Sequence, residues 1–235
     1  MFYGYDPTII LLVAAIIFTV YAQRKVQSAY ATYSRVPTKK HITGGQVARM
    51  ILDSNGMSHV PIEVISGNLT DNYDPTKDVM HLSEGTHNSS SIASVAIAAH
   101  ESGHAMQDGA NYSFLKLRIA LVPAVNVVSA FSMPVIMLGI ILAVAGQSMG
   151  MPLFNIGILM FAVVVFFHTI TLPVEFDASK RALEQLVSLG IVDDSEVNGA
   201  RKVLSAAAMT YVAALAVSLT QLLRFILLAN QRRRY

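Results

Sequence analysis

Residues 119–174 read IALVPAVNVVSAFSMPVIMLGIILAVAGQSMGMPLFNIGILMFAVVVFFHTITLPV and contain no Asp, Glu, Lys or Arg. This uncharged run lies between Arg118 and Glu175. A helix needs about 20 apolar residues to cross the hydrocarbon core of a bilayer, so the run is long enough for two crossings. The segment 146–150 (GQSMG) in its middle is typical of a turn. Residues 118–172 are therefore predicted to form a transmembrane hairpin.

The composition of the whole chain also favours an integral membrane protein. Of its 235 residues, 53% are hydrophobic and only 14% are charged, whereas about a quarter are charged in a typical soluble domain. The absence of Cys excludes disulfides, thiol catalysis and Cys-based zinc sites. A net charge of +2 without a basic stripe argues against nucleic acid as a partner. The side chains that remain as candidates for metal binding or acid–base catalysis are seven His and fifteen Asp and Glu.

Two further apolar segments flank the hairpin and divide the chain into five parts. The expected fold class is an α-helical membrane protein with a small cytoplasmic α+β insertion, placed in the cell membrane as a multi-pass protein. The predicted parts are a first transmembrane helix (1–23), a cytoplasmic α+β unit (24–117), the hairpin (118–172), a cytoplasmic helix (173–202), and a C-terminal membrane helix with a basic tail (203–235).

The distribution of Lys and Arg predicts the orientation in the membrane. Basic residues follow the first apolar segment and flank the hairpin, whereas the hairpin turn has none. By the positive-inside rule, the N-terminus lies outside and the stretches 23–117 and 173–202 face the cytoplasm. The arginines at 232–234 would lie outside if the last segment crosses fully. That segment therefore either crosses, re-enters or lies in the membrane interface.

Local signals within residues 24–117 predict two helices and two strands. Thr43 is expected to cap the first helix, and Ser91 with its neighbouring serines the second. Runs of β-branched and apolar residues predict the strands, and an Asp-Asn-Tyr-Asp-Pro sequence predicts a turn. The expected elements are a helix from about 44 to 54, strands at 60–65 and 79–83, a turn at 71–75, and a helix from 92 to 107.

The second of these strands is the predicted substrate-binding element. It lies just upstream of the second helix, and an extended peptide can bind a sheet by adding to it as a further strand. The residues of this strand are Val79, Met80, His81, Leu82 and Ser83.

The second helix carries His100-Glu101-Ser102-Gly103-His104, which matches the H-E-x-x-H pattern. Residues i and i+4 lie on one face of a helix, so the two imidazoles can converge on one zinc ion. Glu101 is placed to take a proton from water as the catalytic base. Gly103 leaves room for close approach of another segment. The pattern predicts one Zn²⁺ per chain, whereas the alternative is a polar helix face with solvated histidines.

A catalytic zinc site needs a third protein ligand and an open position for water. Glu175 is the candidate, because it is the first charge after the uncharged run. Ser179, one turn further on, suits a hydrogen bond that supports a ligand from behind. Asp177 points away from Glu175 and can pair with Arg181. The alternative role of Glu175 is an ordinary interfacial charge that ends a span.

Two further side chains are candidates for the site on weaker grounds. His168 precedes Glu175 by two helical turns, and an ionisable group within a span is a candidate for function. Its alternative role is a buried histidine with a satisfied hydrogen bond, and Pro173 can break the helical phase between them. Tyr211 can donate to the oxyanion that forms at a scissile carbonyl, or lie at the membrane interface as an anchor.

These motifs resemble two known groups of proteases. His100-Glu101-x-x-His104 with the downstream Glu175-x-x-Ala178 is similar to the gluzincin arrangement of membrane zinc metallopeptidases related to HtpX and the CAAX prenyl proteases. Those proteins continue with Asp where this chain has Ser179. A closer resemblance is to the YugP-like family of bacterial neutral zinc metallopeptidases. The matching phrases are 69–75 (LTDNYDP), 81–83 (HLS), 99–105 (AHESGHA) and 207–213 (AAMTYVA).

The YugP-like resemblance covers nearly the whole chain. It implies a gluzincin-like core and a zinc endopeptidase anchored in the cytoplasmic membrane. In that family's pattern His100, His104 and Glu175 are the metal ligands and Glu101 is the base. The expected partners are a protein or peptide substrate at the cytoplasmic side, membrane lipid, and other membrane proteins or a second copy of the chain.

Two other functions are compatible with the H-E-x-x-H pattern. Site-2-type intramembrane proteases carry it inside a spanning helix and take a third ligand from Leu-Asp-Gly. Here the apolar stretch before His100 is about eight residues, too short to span, and no Leu-Asp-Gly occurs. A non-catalytic scaffold would use zinc only to tie the cytoplasmic unit to the hairpin, and would keep its function when Glu101 is replaced by Gln.

Overall fold

The computed structural model describes residues 8–232. The N-terminal end of the predicted first span and the last three residues of the basic tail lie outside this range. The described chain is mostly helical with one small sheet. Its elements are α1 (Thr8–Tyr33), α2 (Gly44–Ser54), β1 (Ile62–Ile65), β2 (Asn72–Asp74), β3 (Val79–Ser83), α3 (Glu84–Asn88), α4 (Ile92–Gly109), α5 (Ser113–Val144), α6 (Gly150–Ser188) and α7 (Asp194–Arg232).

Within the described residues, four helices are long and apolar enough to cross a membrane. They coincide with the four apolar segments of the sequence. Large apolar side chains such as Leu159, 71% exposed, cover their outer faces. Such exposure suits a lipid solvent rather than water. The four stretches are Ile9–Tyr33, Ser113–Val144, Gly150–Ser188 and Asp194–Asn230.

The helices continue beyond the segment boundaries that hydropathy predicts. Helix α1 runs ten residues past position 23, α6 crosses the boundary at 172/173, and α7 crosses that at 202/203. Even Pro173 lies inside α6 without ending it. Hydropathy places a boundary where charged residues reappear in the sequence, because these residues lie outside the apolar part of the membrane. The backbone hydrogen bonds of a helix can continue into water, so the helix itself need not end there.

The chain folds as two compact units. The apolar unit comprises Met1–Tyr21, Leu117–Thr171 and Tyr211–Tyr235, and the polar unit comprises Ala22–Lys116 and Leu172–Thr210. In the apolar unit α5 and α6 form the predicted hairpin. A Cβ at Gly139 would lie 2.5 Å from the Phe154 backbone nitrogen. Glycine is therefore required for the close approach of the two helices, as is common between membrane helices.

The polar unit contains the sheet and both predicted helices. Thr43 caps α2 with a complete capping box, and the Ser91 side chain accepts a hydrogen bond from the Ser94 amide at the start of α4. The turn predicted at 71–75 is wrong in part, because Asn72–Asp74 forms β2. Asp74 Oδ1 accepts hydrogen bonds from the Thr76 and Lys77 amides, so the turn begins at Asp74.

The strand order β1-β3-β2 corrects the predicted substrate-binding element. Strand β3 pairs in parallel with β1 on one side and antiparallel with β2 on the other. Both of its edges are therefore hydrogen-bonded, and no further strand can add to it. The prediction that Val79–Ser83 receives the substrate by strand addition is wrong, because β2 occupies the edge that this mechanism requires.

A hydrophobic core holds the end of α6 against α4. Val47 and Ile51 of α2, Val95 and Ala99 of α4, and Leu186 of α6 are all fully buried in one cluster. Burying each of the larger side chains contributes about 1.5–3 kcal/mol relative to exposure. The core therefore fixes how α4 and the C-terminal part of α6 face each other.

Candidate metal centre

The two helices of the site approach each other at a glycine. A Cβ at Gly103 of α4 would lie 2.4 Å from the backbone oxygen of Ala178 in α6, well inside van der Waals contact. The role of Gly103 predicted from the sequence is thus confirmed by the packing. Glu175 precedes Ala178 by three residues and so lies about one turn away on α6. The contact consequently brings Glu175 opposite the histidines of α4.

Three side chains converge where the helices meet. The Nε2 atom of His100 lies 3.2 Å from Glu175 Oε2, and that of His104 lies 3.6 Å from the same oxygen. One potential ligand atom from each residue falls within 4.8 Å of the others. Glu175 is 1% exposed, while both histidines are partly buried. The structure thus brings together the three predicted ligands.

The donor set and its burial fit a zinc ion. Two imidazole nitrogens and one carboxylate oxygen match the ligands of catalytic zinc sites, which leave a fourth position for water. An ionised carboxylate as deeply buried as Glu175 is costly unless it is paired or bound to a metal. A divalent cation held between Glu175, His100 and His104 would compensate that cost.

A polar side chain supports each histidine from behind. Ser179 Oγ lies 3.1 Å from His100 Nδ1, so the serine contacts a ligand histidine and not Glu175 itself. Gln107 Oε1 lies 3.0 Å from His104 Nδ1. Sequence reasoning missed Gln107. Its position three residues after His104, on the same helix face, is the signal that could have found it.

Glu101 lies beside the ligands and points towards the sheet. Its side chain is buried, and its Oε2 accepts a hydrogen bond of 3.1 Å from the backbone N–H of Tyr73 in β2. Burial raises the pKa of Glu101 to about 7, although the nearby His100 opposes this shift. A carboxyl group with a pKa near neutrality can both take up and release a proton.

The other residues singled out in the sequence are not among the three grouped potential ligands. Asp177 pairs with Arg181 at 2.6 Å, as their spacing predicts. His168 and Tyr211 belong to the apolar unit. There His168 Nδ1 lies 3.1 Å from Ser218 Oγ, which is consistent with a satisfied intramembrane histidine. A role in the site for His168 or Tyr211 stays a prediction.

Replacing Gly103 by Ala is expected to damage the site through packing alone. The new methyl group would meet the Ala178 backbone, which cannot move aside as a flexible side chain can. We expect a loss of about 1–3 kcal/mol in stability and weaker zinc binding. Thermal unfolding and zinc titration of Gly103→Ala check this. Gly109→Ala on the same helix is the control, because its methyl group would meet only the flexible Met57 sulfur, at 3.3 Å. Equal behaviour of the two variants would contradict the close contact.

Comparison with known proteins agrees with the metal-site geometry. A family model described as "Putative neutral zinc metallopeptidase" matches residues 8–230. The protein named "Putative membrane protease YugP" of Bacillus subtilis (strain 168) is 46% identical over 221 residues, covering 94% of this chain and 95% of that protein. No solved structure matches the chain significantly. The resemblance drawn from the sequence phrases is confirmed, and the chain belongs to the zinc metallopeptidase family of that description.

Proposed function

We propose that this protein is a membrane-anchored, zinc-dependent endopeptidase with a gluzincin-type site. It would hydrolyse peptide bonds of membrane or membrane-proximal proteins at the cytoplasmic face. The convergence of His100, His104 and Glu175, with the buried Glu101 beside them, carries the proposal. Membership of a zinc metallopeptidase family and the similarity to a membrane protease support it.

The side chains of the site suit hydrolysis of an amide. His100, His104 and Glu175 would hold the ion; when bound, zinc supplies a Lewis acid that activates water and polarises a carbonyl. Glu101 would accept the proton of the attacking water and deliver it to the leaving amine. The hydrogen bond from the Tyr73 N–H holds its carboxylate beside the ligands, where it can make both transfers.

The edge of β2 that faces away from β3 is the corrected candidate for substrate binding. Tyr73 lies opposite Met80 in the antiparallel pair, and its N–H points away from β3 towards Glu101. In such a pair the carbonyl of the same residue points the same way. An extended peptide adding to β2 would take over the Tyr73 N–H from Glu101 and would therefore lie next to this glutamate.

The structure favours this function over the two alternatives. Among the described helices, α4 is not one of the four that are long and apolar enough to span, whereas a site-2-type protease carries its motif inside a span. A zinc scaffold needs ligands but no acid beside them. Glu101 is nevertheless buried next to the ligands, with its pKa raised. Such an arrangement is typical of an acid–base catalyst.

Metal removal tests the proposed activity. The purified full-length protein in detergent is expected to cleave an unfolded protein such as casein. A zinc chelator should abolish cleavage, and an equivalent of Zn²⁺ should restore it, because the ligand set holds one ion. Cleavage that survives complete zinc removal would contradict the proposal.

Cysteine labelling tests the proposed cytoplasmic placement of the site. The chain contains no Cys, so a single introduced thiol reports on one position. A Cys at Lys39 is expected to be shielded from impermeant reagents in intact cells, and one at Ser148 in the hairpin turn to react readily. Permeabilised cells, in which both should react, provide the control. The reverse pattern in intact cells would move the active site to the outer face.

A further inference from the structure

We infer that Gln107 is a positioning residue that fixes the ring orientation and tautomer of His104 for metal binding. It acts through a hydrogen-bond network that consists of Gln107, Asp177 and Arg181. The inference rests on the proposed zinc site. It adds a residue that carries no charge and belongs to none of the sequence motifs.

The Gln107 side chain is fully buried, and the described contacts use both of its polar atoms. Its Oε1 lies 3.0 Å from His104 Nδ1 on the same helix. Its Nε2 donates to the Val174 backbone oxygen at 2.7 Å and to Asp177 Oδ2 at 2.9 Å, both on α6. One amide thus links a ligand histidine on α4 with the helix that carries Glu175.

The acceptors on α6 determine which way the amide faces. A carbonyl oxygen and a carboxylate can only accept, so both require the NH₂ end of Gln107. A flipped amide would place its oxygen against two other oxygens and leave buried groups unsatisfied. Arg181 Nε donates to the same Asp177 oxygen at 2.6 Å, which holds that carboxylate in place. The oxygen of Gln107 is therefore directed at His104.

The fixed oxygen in turn selects the form of the imidazole. Because Gln107 Oε1 can only accept, His104 must carry its proton on Nδ1. The lone pair of neutral His104 then lies on Nε2, the atom that faces Glu175 at 3.6 Å. A metal needs this lone pair, and such hydrogen bonds behind ligand histidines set their tautomer and orientation.

Two substitutions at Gln107 separate this role from simple packing. Gln107→Met keeps most of the side-chain volume but removes the acceptor for His104. We expect zinc affinity to fall about 10- to 100-fold. Gln107→Glu, as a neutral acid, still offers an oxygen to His104, but its single proton can serve only one of the two acceptors, Val174 O and Asp177. It should recover part of the affinity lost in Gln107→Met. The readout is the zinc dissociation constant of the full-length protein, measured by competition with a chromogenic chelator.

Ser102→Ala is the matched control, because Ser102 is fully buried on the same helix and bonds only the Ala98 carbonyl in the described contacts. It should bind zinc like the unchanged protein. Tight zinc binding by Gln107→Met, or equal loss in Gln107→Met and Gln107→Glu, would overturn the inference. If the unchanged protein bound no zinc, the proposed function would fail instead, so the two failures are distinguishable.

A substitution at another residue of the network, Asp177, provides a second test if Gln107→Met does not fold. Asp177→Ala removes one of the two acceptors that orient the amide, so we expect a loss of about threefold to tenfold in zinc affinity, smaller than for a ligand. Lys180→Ala, an exposed neighbour on α6, should change nothing. Equal zinc affinity of Asp177→Ala and Lys180→Ala would show that the hydrogen-bond network of Gln107 does not support zinc binding.

Discussion

The variant Glu101→Gln is expected to lose about 10²- to 10⁴-fold in peptide hydrolysis while keeping one zinc per chain. The amide has nearly the shape of the carboxylate and can still accept the Tyr73 N–H hydrogen bond. It cannot take a proton from water, so the acid–base step is lost. Glu101 does not belong to the group of three potential ligands, so the metal should stay.

Parallel measurements of zinc content and casein cleavage check the Glu101 prediction. Glu184→Gln makes the same chemical change at an exposed position of α6 and should leave both quantities unchanged. Loss of zinc from Glu101→Gln would show that Glu101 is a ligand and not the base. Full hydrolysis with bound zinc would favour a different proton acceptor, and a scaffold would show no hydrolysis in any variant.

The variant Glu175→Ala is expected to weaken zinc binding by about 10- to 100-fold or more, comparable with loss of His104. The structure directs a single oxygen of Glu175 at both histidine Nε2 atoms. Without this carboxylate only two ligands remain, and catalytic zinc sites have three. The negative charge that favours a divalent ion at this point is lost as well.

Zinc titration of Glu175→Ala beside Asp177→Ala isolates the ligand role. Both variants remove a carboxylate from the same helix, but Asp177 faces Arg181 and Gln107. Asp177→Ala should therefore weaken binding much less. Stoichiometric zinc in Glu175→Ala, combined with its loss from Asp177→Ala or from a His168 variant, would require another third ligand.

Helices α2 and α4 of the polar unit and their caps were predictable because their signals are local. The Thr43 capping box and the Ser91 cap depend on residues only three positions apart. The spacing of His100 and His104 likewise needs only a helix. Glu175 was predictable because it ends an uncharged run, although the sequence alone did not show that α6 packs against α4.

The parts that sequence reasoning missed depend on distant partners. Strand β2 has only three residues of turn-like composition and becomes a strand by pairing with β3. The assignment of the substrate edge to β3 failed for this reason. Gln107 has no recognisable pattern either, because its role requires Val174 and Asp177, which lie far along the chain.

The zinc content of the purified full-length protein, measured beside His104→Ala, tests the central claim most directly. One ion held by His100, His104 and Glu175 predicts about one zinc per chain in the unchanged protein and strongly reduced zinc in the variant. Absence of zinc from the unchanged protein supplied with Zn²⁺, or equal zinc in both, would contradict the metal centre proposed for these residues.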